Sequence, residues 1–100
     1  MVEAVYRARR VIERHGEVFQ AGGSDHKGVF GIISSGVAKR YAASAAVDGA
    51  NRPLWMVVIR DDDTTQVTDT ITWAGLSLTI LAIVERRLRG AAVLKVIVAH

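Results

Sequence analysis

The stretch VTDTITWAGLSLTILAIV, from Val67 to Val84, decides the fold. Apolar and polar side chains alternate on both sides of Ala74-Gly75, and β-branched residues are dense, which favours strands over helix. The glycine predicts a tight turn between two antiparallel strands. A third apolar run at 92–98 comes after a charged bend at 85–90. This pattern predicts a meander of three strands, with the rest of the chain packed against it.

The alternation also predicts which side chains share a face of this meander. The shared-face residues are Val67, Ile71 and Trp73 before the turn, and Leu76, Leu78, Ile80, Ala82 and Val84 after it. An alternative interpretation makes Leu76 to Arg89 a helix, because residues 85–89 are good helix formers.

Residues 2–15 have the spacing of an amphipathic helix, with apolar positions on one side and arginines around the other. Glu3 stands four residues before Arg7, which is the favourable order for a surface ion pair. Gly16 is placed to end the helix.

Between the helix and the meander, the sequence predicts shorter elements. Residues 17–21 and 29–33 read as strands, with Gly31 marking a bulge or a close backbone approach. Loops are predicted at 20–28 and 34–51; within the second, residues 37–47 are interpreted as loop plus strand, although their alanines also permit a helix.

Residues 52–60 predict a strand that is apolar on both faces and therefore buried on both sides or facing a partner. The sum is one domain, 1–100, of the mainly β class. We expect a small antiparallel β-barrel or sandwich of five to six strands with one N-terminal α-helix at 1–16.

Composition limits the class of protein. The chain has 100 residues with 13 basic and 10 acidic side chains, a formal charge of +3, and no cysteine. A disulfide framework and a thiolate metal site are therefore excluded. The longest apolar run, Leu76 to Val84, is about half the length of a membrane span, so we expect no membrane association.

No pattern in the sequence predicts a catalytic, cofactor-binding or metal-binding residue. Ser34 and Ser35 do not fit a nucleophile elbow, and the aspartates at 61–63 lack the spacing of a calcium loop. The three histidines are scattered and read as surface residues. The glycines and lysine at 22–28 lack P-loop spacing and predict a loop that orders on assembly.

Two sets of residues are candidate contacts with other molecules. Predicted oligomer or partner contacts are Gly22, Gly23, His26, Lys27, Lys39, Arg40, Tyr41 and Trp55. Predicted contacts with DNA or an acidic partner are Arg7, Arg10, Arg14, Arg86, Arg87 and Arg89.

One segment resembles a known family. Small head–tail connector proteins of tailed bacteriophages, of the head-closure or stopper type, often carry Asp-x-Val-x-Trp-x-Gly-x-x-Tyr-x-Val-x-x-Val before a charged bend and a valine-rich last strand. The matching positions are Asp69, Ile71, Trp73, Gly75, Leu78, Ile80 and Ile83, with Leu78 departing from the usual aromatic. The resemblance covers roughly the last third of the chain.

The resemblance implies a non-enzymatic virion component, assembled in the host cytoplasm, without cofactor or small-molecule substrate. It would form a homo-oligomeric ring of sixfold or twelvefold symmetry around the DNA passage, between portal or adaptor and tail proteins. Alternatives are a tail-completion or baseplate component, or a small basic β-barrel that binds nucleic acid.

Overall fold

One helix precedes an antiparallel β-sheet in the computed structural model, which describes residues 2–88 and 90–100 of the chain; Arg89, a predicted contact, lies outside the described residues. The elements in chain order are α1 (Val2–His15), β1 (Glu17–Ala21), β2 (Ser24–Ile33), α2 (Ser35–Ala38), α3 (Ser44–Asp48), β3 (Leu54–Arg60), β4 (Thr70–Trp73), β5 (Leu76–Leu88) and β6 (Ala91–Ala99). The predicted mainly β class and the N-terminal helix are confirmed.

The six strands found in the described residues form one sheet that closes into a ring, in the order β1-β2-β3-β6-β5-β4. Every neighbouring pair is antiparallel. The ring closes at β1 and β4 through the single residue pair Gln20–Thr72, whereas β5 and β6 pair over most of their length. The seam between β1 and β4 is therefore the weakest join of the sheet.

The predicted meander is confirmed as β4, β5 and β6, which are neighbours in the sheet. Ala74 and Gly75 both have positive φ, 50° and 78°, the conformation of a type I′ turn that suits the twist of two-residue hairpins. The alternative helix at Leu76 to Arg89 is wrong, because β5 runs from Leu76 to Leu88.

The predicted shared face of the meander needs two corrections. Val67 lies before β4 and is exposed, because β4 begins only at Thr70. A register shift between Ile80 and Ala82 also moves the alternation by one position, so that Ile83, opposite Ile97, packs against the core instead of Ala82 and Val84.

The charged bend predicted at residues 85–90 is shorter than expected. Glu85, Arg86, Arg87 and Leu88 all belong to β5 and pair with β6. The strand continues because β6 offers partners as far as Ala91. Pairing across the sheet thus overrides the helix propensity of these charged residues.

The loop predicted at 20–28 is wrong, because β1 and β2 form a hairpin there. Only Gly22 and Gly23 lie in the turn, both with positive φ, which is the Gly-Gly form of a type I′ turn. His26 and Lys27 therefore occupy strand positions opposite Phe19 and Val18.

The close backbone approach predicted at Gly31 occurs instead at Gly28. A Cβ atom on Gly28 would lie 2.6 Å from Val57 Cγ1 and 3.1 Å from Phe19 Cε1, whereas one on Gly31 would meet nothing within 4 Å. The pairing of β2 with β3 runs without a shift through Gly31, so the predicted bulge is absent from this pairing.

The segment predicted as loop plus strand at 37–47 forms α2 and α3 instead, within the predicted loop at 34–51. Ser34 caps α2, because its Oγ accepts a hydrogen bond from the Val37 amide at 3.2 Å. Ala38 and Val47 are fully buried and pack with Leu54 and Val98 on the outer face of the sheet. Burial of these small apolar residues holds the alanine-rich segment against the outer face of the sheet.

The core lies inside the ring of strands. Its buried members are Phe19, Ala21, Val57, Ile59, Ile71, Leu78, Ile80, Ile97 and Ala99. On the outer face, α1 packs against β2, β3 and β6 and buries Ile12. Both faces of β3 are therefore covered, as the sequence predicted.

Candidate functional site

The predicted partner contacts do not form one surface. Gly22 and Gly23 lie at a hairpin tip, while Lys39 is paired with Asp48 at 2.9 Å within the α2–α3 region. Arg40 is exposed in the link between α2 and α3. Two further predicted contacts are partly buried: Trp55 packs against the core inside the ring, and Tyr41 packs against the outer cluster under α2 and α3.

His26 is wrongly predicted as a surface residue. Its side chain is 8% exposed and stacks on Phe19, with the ring centroids 5.3 Å apart. It belongs to a polar group at one end of the ring of strands, which we call the His26 cluster and which consists of Ser24, His26, Asp63 and Thr65. Because side chains alternate along β2, His26 points to the inner face of the sheet. The prediction of a loop for these residues gave no such alternation, so the burial of His26 was missed.

The His26 cluster is held by short hydrogen bonds. His26 Nδ1 lies 3.0 Å from Asp63 Oδ1, and Nε2 lies 3.1 Å from Ser24 Oγ and 3.0 Å from the Ala21 carbonyl oxygen. Thr65 donates from Oγ1 to Asp63 Oδ1 at 2.6 Å and from its amide at 2.8 Å. The cluster ties the β1–β2 hairpin to the segment between β3 and β4.

Ser24, His26 and Asp63 have the order of contacts of a hydrolytic triad, but the ring nitrogens argue for a structural role. A triad histidine must accept the serine proton at Nε2. Here Nε2 lies 3.0 Å from the Ala21 carbonyl oxygen, which can only accept a hydrogen bond, as well as 3.1 Å from Ser24 Oγ. The nitrogen that a triad needs as an acceptor is therefore shared with an acceptor-only group, and the cluster ties the β1–β2 hairpin to the segment before β4.

A second polar group fixes α1 to the sheet. We call it the helix-anchoring network: Arg9, Glu13, Lys27, Arg60, Asp61 and Asp62. Arg9 makes a bidentate pair with Asp61, with Nε–Oδ1 at 2.8 Å and Nη2–Oδ2 at 3.1 Å. Arg60 joins Glu13 of the helix and Asp62 of the turn after β3, each at 2.9 Å. Lys27 of β2 donates to the Glu13 carbonyl oxygen at 3.1 Å.

The network shifts three pKa values in the direction that favours the charged forms. The hydrogen bond from Arg9 holds the pKa of Asp61 below its usual value, against a smaller effect of burial. The bond to Asp61 raises the pKa of Arg9, and the bonds to Asp62 and Glu13 raise that of Arg60. Six charged side chains near the C-terminal half of α1 thus serve to hold the helix in place.

The predicted basic contacts within the described residues fall on two elements, α1 and β5. Arg7, Arg10 and Arg14 are on α1, and Arg7 is paired with Glu3 at 2.9 Å. Arg7 and Leu94 line the same apolar groove, of about 490 Å³, between α1 and the sheet. Leu94 is also the register partner of Arg86. Arg86 and Arg87 are exposed on β5, and Arg86 lies with its guanidinium 5.8 Å from the centroid of the Tyr41 ring.

The end of β5 offers the most distinctive surface of the molecule. β4 pairs with β5 only from Leu76 to Thr79, so β5 from Ile80 onward is paired with β6 alone. Between the two register shifts lies a regular segment, Ala82–Arg86, which we call the open edge. In the described residues, no backbone hydrogen bond outside the β5–β6 ladder involves this segment.

Aromatic side chains pack against one another near the β4–β5 turn. Phe30 and Trp73 stack with centroids 3.9 Å apart, and Trp55 meets Trp73 edge-on at 5.2 Å. Ile32 and Leu76, the register partners of Trp55 and Trp73, are exposed by 66% and 43%. The tryptophans are therefore packed against other rings and leave little free face for base stacking.

Comparison with protein-family models, with curated proteins and with solved structures finds no match to this chain. The described helices include none that is both long and apolar enough to cross a membrane. Within residues 2–88 and 90–100, no group of three or more potential ligand side chains is placed to hold a metal ion. Function must therefore be inferred from the geometry of these residues and from the connector-like motif.

Proposed function

We propose that this chain is a structural, non-enzymatic subunit of a tailed-phage virion that joins its copies in a ring at the head–tail interface. The observation that supports the proposal most is the position of the connector-like motif. Its residues form the β4–β5 hairpin, and that hairpin leads directly into the open edge and the exposed end of β5.

The packing of the motif explains why its residue types are needed. Ile71, Leu78 and Ile80 are buried in the core, and Ile83 packs against it after the register shift. Gly75 provides the positive φ of the turn. Asp69 accepts a hydrogen bond from the Gln66 amide at 2.8 Å, which orders the approach to β4.

A ring subunit needs two different surfaces that meet head to tail. The exposed Ile32 and Leu76 beside the tryptophans are a candidate for one of them, and the apolar groove between α1 and the sheet is a candidate for the other. Subunit contacts enrich tryptophan at their centres. Three positions in the particle fit such a ring: head closure, tail completion and baseplate.

Mass spectrometry of density-purified particles tests the proposal. We expect this chain in the particle band at a fixed ratio to the portal subunit, and cross-linking should then identify its neighbours and its level. Absence from particles, with the chain abundant in the soluble lysate, would contradict the virion role.

The exposed arginines Arg10 and Arg14 on α1 and Arg86 and Arg87 on β5 favour nucleic-acid binding as the second candidate. A binder of the phosphate backbone loses affinity steeply as the salt concentration rises. The logarithm of its binding constant falls with the logarithm of the salt concentration with a slope of about −0.9 for each phosphate contacted. Titration of the isolated protein with a fluorescent DNA duplex across a salt series measures this slope. A steep slope together with absence from particles would replace the connector role with this one.

A further inference from the structure

We propose that the open edge of β5, Ala82–Arg86, is a strand-addition site that binds an extended, acidic segment of a partner protein. Binding of a strand here requires only the open edge of β5, and it does not require that the chain belong to a virion.

The backbone of the open edge is geometrically ready for a further strand. An edge strand presents unpaired N–H and C=O groups at every second residue, and an extended peptide satisfies them by adding a strand. Ala82–Arg86 pairs in continuous register with Val98–Leu94, so its backbone is already straight and ordered on one side. A partner strand would meet a template that needs no rearrangement.

The surroundings of the edge leave room for a strand. A groove of about 570 Å³ runs along it and is lined also by Tyr41 and by residues 65–67. Ala82, Ile83 and Val84 are half-buried along this groove, and Val67 at its border is 53% exposed. Added side chains would therefore contact apolar surface near the sheet and water beyond it.

Charge defines the partner. Arg86 and Arg87 are exposed at the outer end of the edge, and Glu85 pairs with Arg87 at 2.8 Å. Among described residues, no carboxylate lies within ion-pair distance of Arg86, whose guanidinium is 5.8 Å from the centroid of the Tyr41 ring. Since an added strand runs antiparallel to β5, its acidic residues come first and its apolar residues come after them.

Natural sheet edges are commonly blocked by proline or lysine. The open edge contains neither, and register shifts interrupt the strand only at its two ends, Ile80/Ala82 and Arg86/Arg87. An edge that ends at Arg86 and is followed by Arg87 rejects basic or neutral strands more than acidic ones. This selectivity distinguishes a docking site from a general tendency to aggregate.

The test uses the full chain and a synthetic peptide, acetyl-Asp-Glu-Thr-Val-Thr-Ile-Thr-amide, with a version in which lysines replace the two acidic residues as its control. We expect saturable binding of the acidic peptide by fluorescence anisotropy, and no measurable binding of the lysine version. Hydrogen exchange should slow at amides of Ala82–Arg86 on addition of the acidic peptide.

Two matched double variants distinguish peptide binding at this edge from a general effect of the net charge of the chain. Arg86→Glu/Arg87→Glu should weaken peptide binding by about tenfold or more, because two charge-assisted contacts become repulsive. Arg10→Glu/Arg14→Glu changes the net charge equally on α1 and should alter binding by less than about twofold at 0.15 M salt, where the screening length is about 8 Å.

Three outcomes would overturn the proposal. One is equal binding of the acidic and lysine peptides, and another is an equal loss in the two double variants. The third is concentration-dependent protection of the Ala82–Arg86 amides without peptide, which would show that a second copy of the chain occupies the edge.

Discussion

Gly28→Ala is the substitution whose effect on stability can be derived most directly from the structure. The new methyl carbon would lie 2.6 Å from Val57 Cγ1, 3.1 Å from Phe19 Cε1 and 3.2 Å from Ile59 Cγ2. Attractive carbon contacts have their optimum at about 3.5–4.0 Å, so all three are repulsive. The three neighbours are at most 1% exposed, and none has a solvent-facing end that can swing aside.

The expected loss in the free energy of unfolding is about 1–3 kcal/mol, the usual result of adding a methylene-sized group to a packed core. For a domain of this size that corresponds to a fall in Tm of roughly 4–24 °C. Urea unfolding, followed by the fluorescence of Trp55 and Trp73, measures it, and an unchanged m value would show that the unfolded state is unaffected.

Gly31→Ala is the matched control, because it lies in the same strand and its new carbon would meet nothing within 4 Å. We expect it to be neutral or to stabilise by about 0.4–1 kcal/mol, since alanine restricts the unfolded chain more than glycine. A second control places Gly28→Ala in a Val57→Ala background, where the nearest contact is removed and the further loss should shrink. Equal stability of the Gly28 and Gly31 variants would refute the assignment of the close approach to Gly28.

Three further substitutions test other parts of the fold. Because the pKa of Asp61 is lowered in the folded protein, its contribution to stability is full above the ordinary value of 3.8 and is lost as the pH falls through the lowered pKa. Asp61→Asn should therefore lower Tm by a few degrees at pH 7 and make Tm fall less steeply as the pH is lowered into the acid range. The same dependence of Tm on acid pH in the variant and the parent chain would contradict the pairing of Asp61 with Arg9. Ala74→Gly should stabilise by up to about 1 kcal/mol in urea unfolding, because glycine adopts the observed φ of 50° without strain; a loss of stability would contradict that turn conformation. Ile97→Ala, at a fully buried position, should cost about 2–5 kcal/mol, while Ile32→Ala, at a 66% exposed position, should cost less than about 1 kcal/mol, and equal effects would place the core elsewhere.

The sequence predicted the local elements well where one periodicity dominated. The extent of α1 and the turn at Ala74-Gly75 can be derived from spacing and glycine placement alone, because helix and strand periods show directly in the order of side chains. Residues 22–28 and 37–47 were predicted wrongly, since glycines suggested a loop where a two-residue turn suffices, and alanines gave no clear period.

The candidate sites were less accessible to sequence reasoning. His26 and Asp63 are 37 positions apart, and nothing local indicates that they meet. Arg86 and Arg87 were predicted on a bend as contacts with DNA or an acidic partner, and their position on a strand depends on pairing with β6. The pairing of Arg9 with Asp61, 52 positions away, depends on where α1 packs.

By itself, the sequence determined the class of fold, the amphipathic helix and the strand order within the meander, because each depends on neighbours along the chain. Only the tertiary structure decided that β1 meets β4, that Gly28 is the point of close approach, and that β4 begins only at Thr70, opposite Thr79, which leaves Ala82–Arg86 without a second partner strand. The physical reason is that periodicity specifies which face of a strand is buried, whereas the neighbour and the register of that strand depend on packing among distant segments.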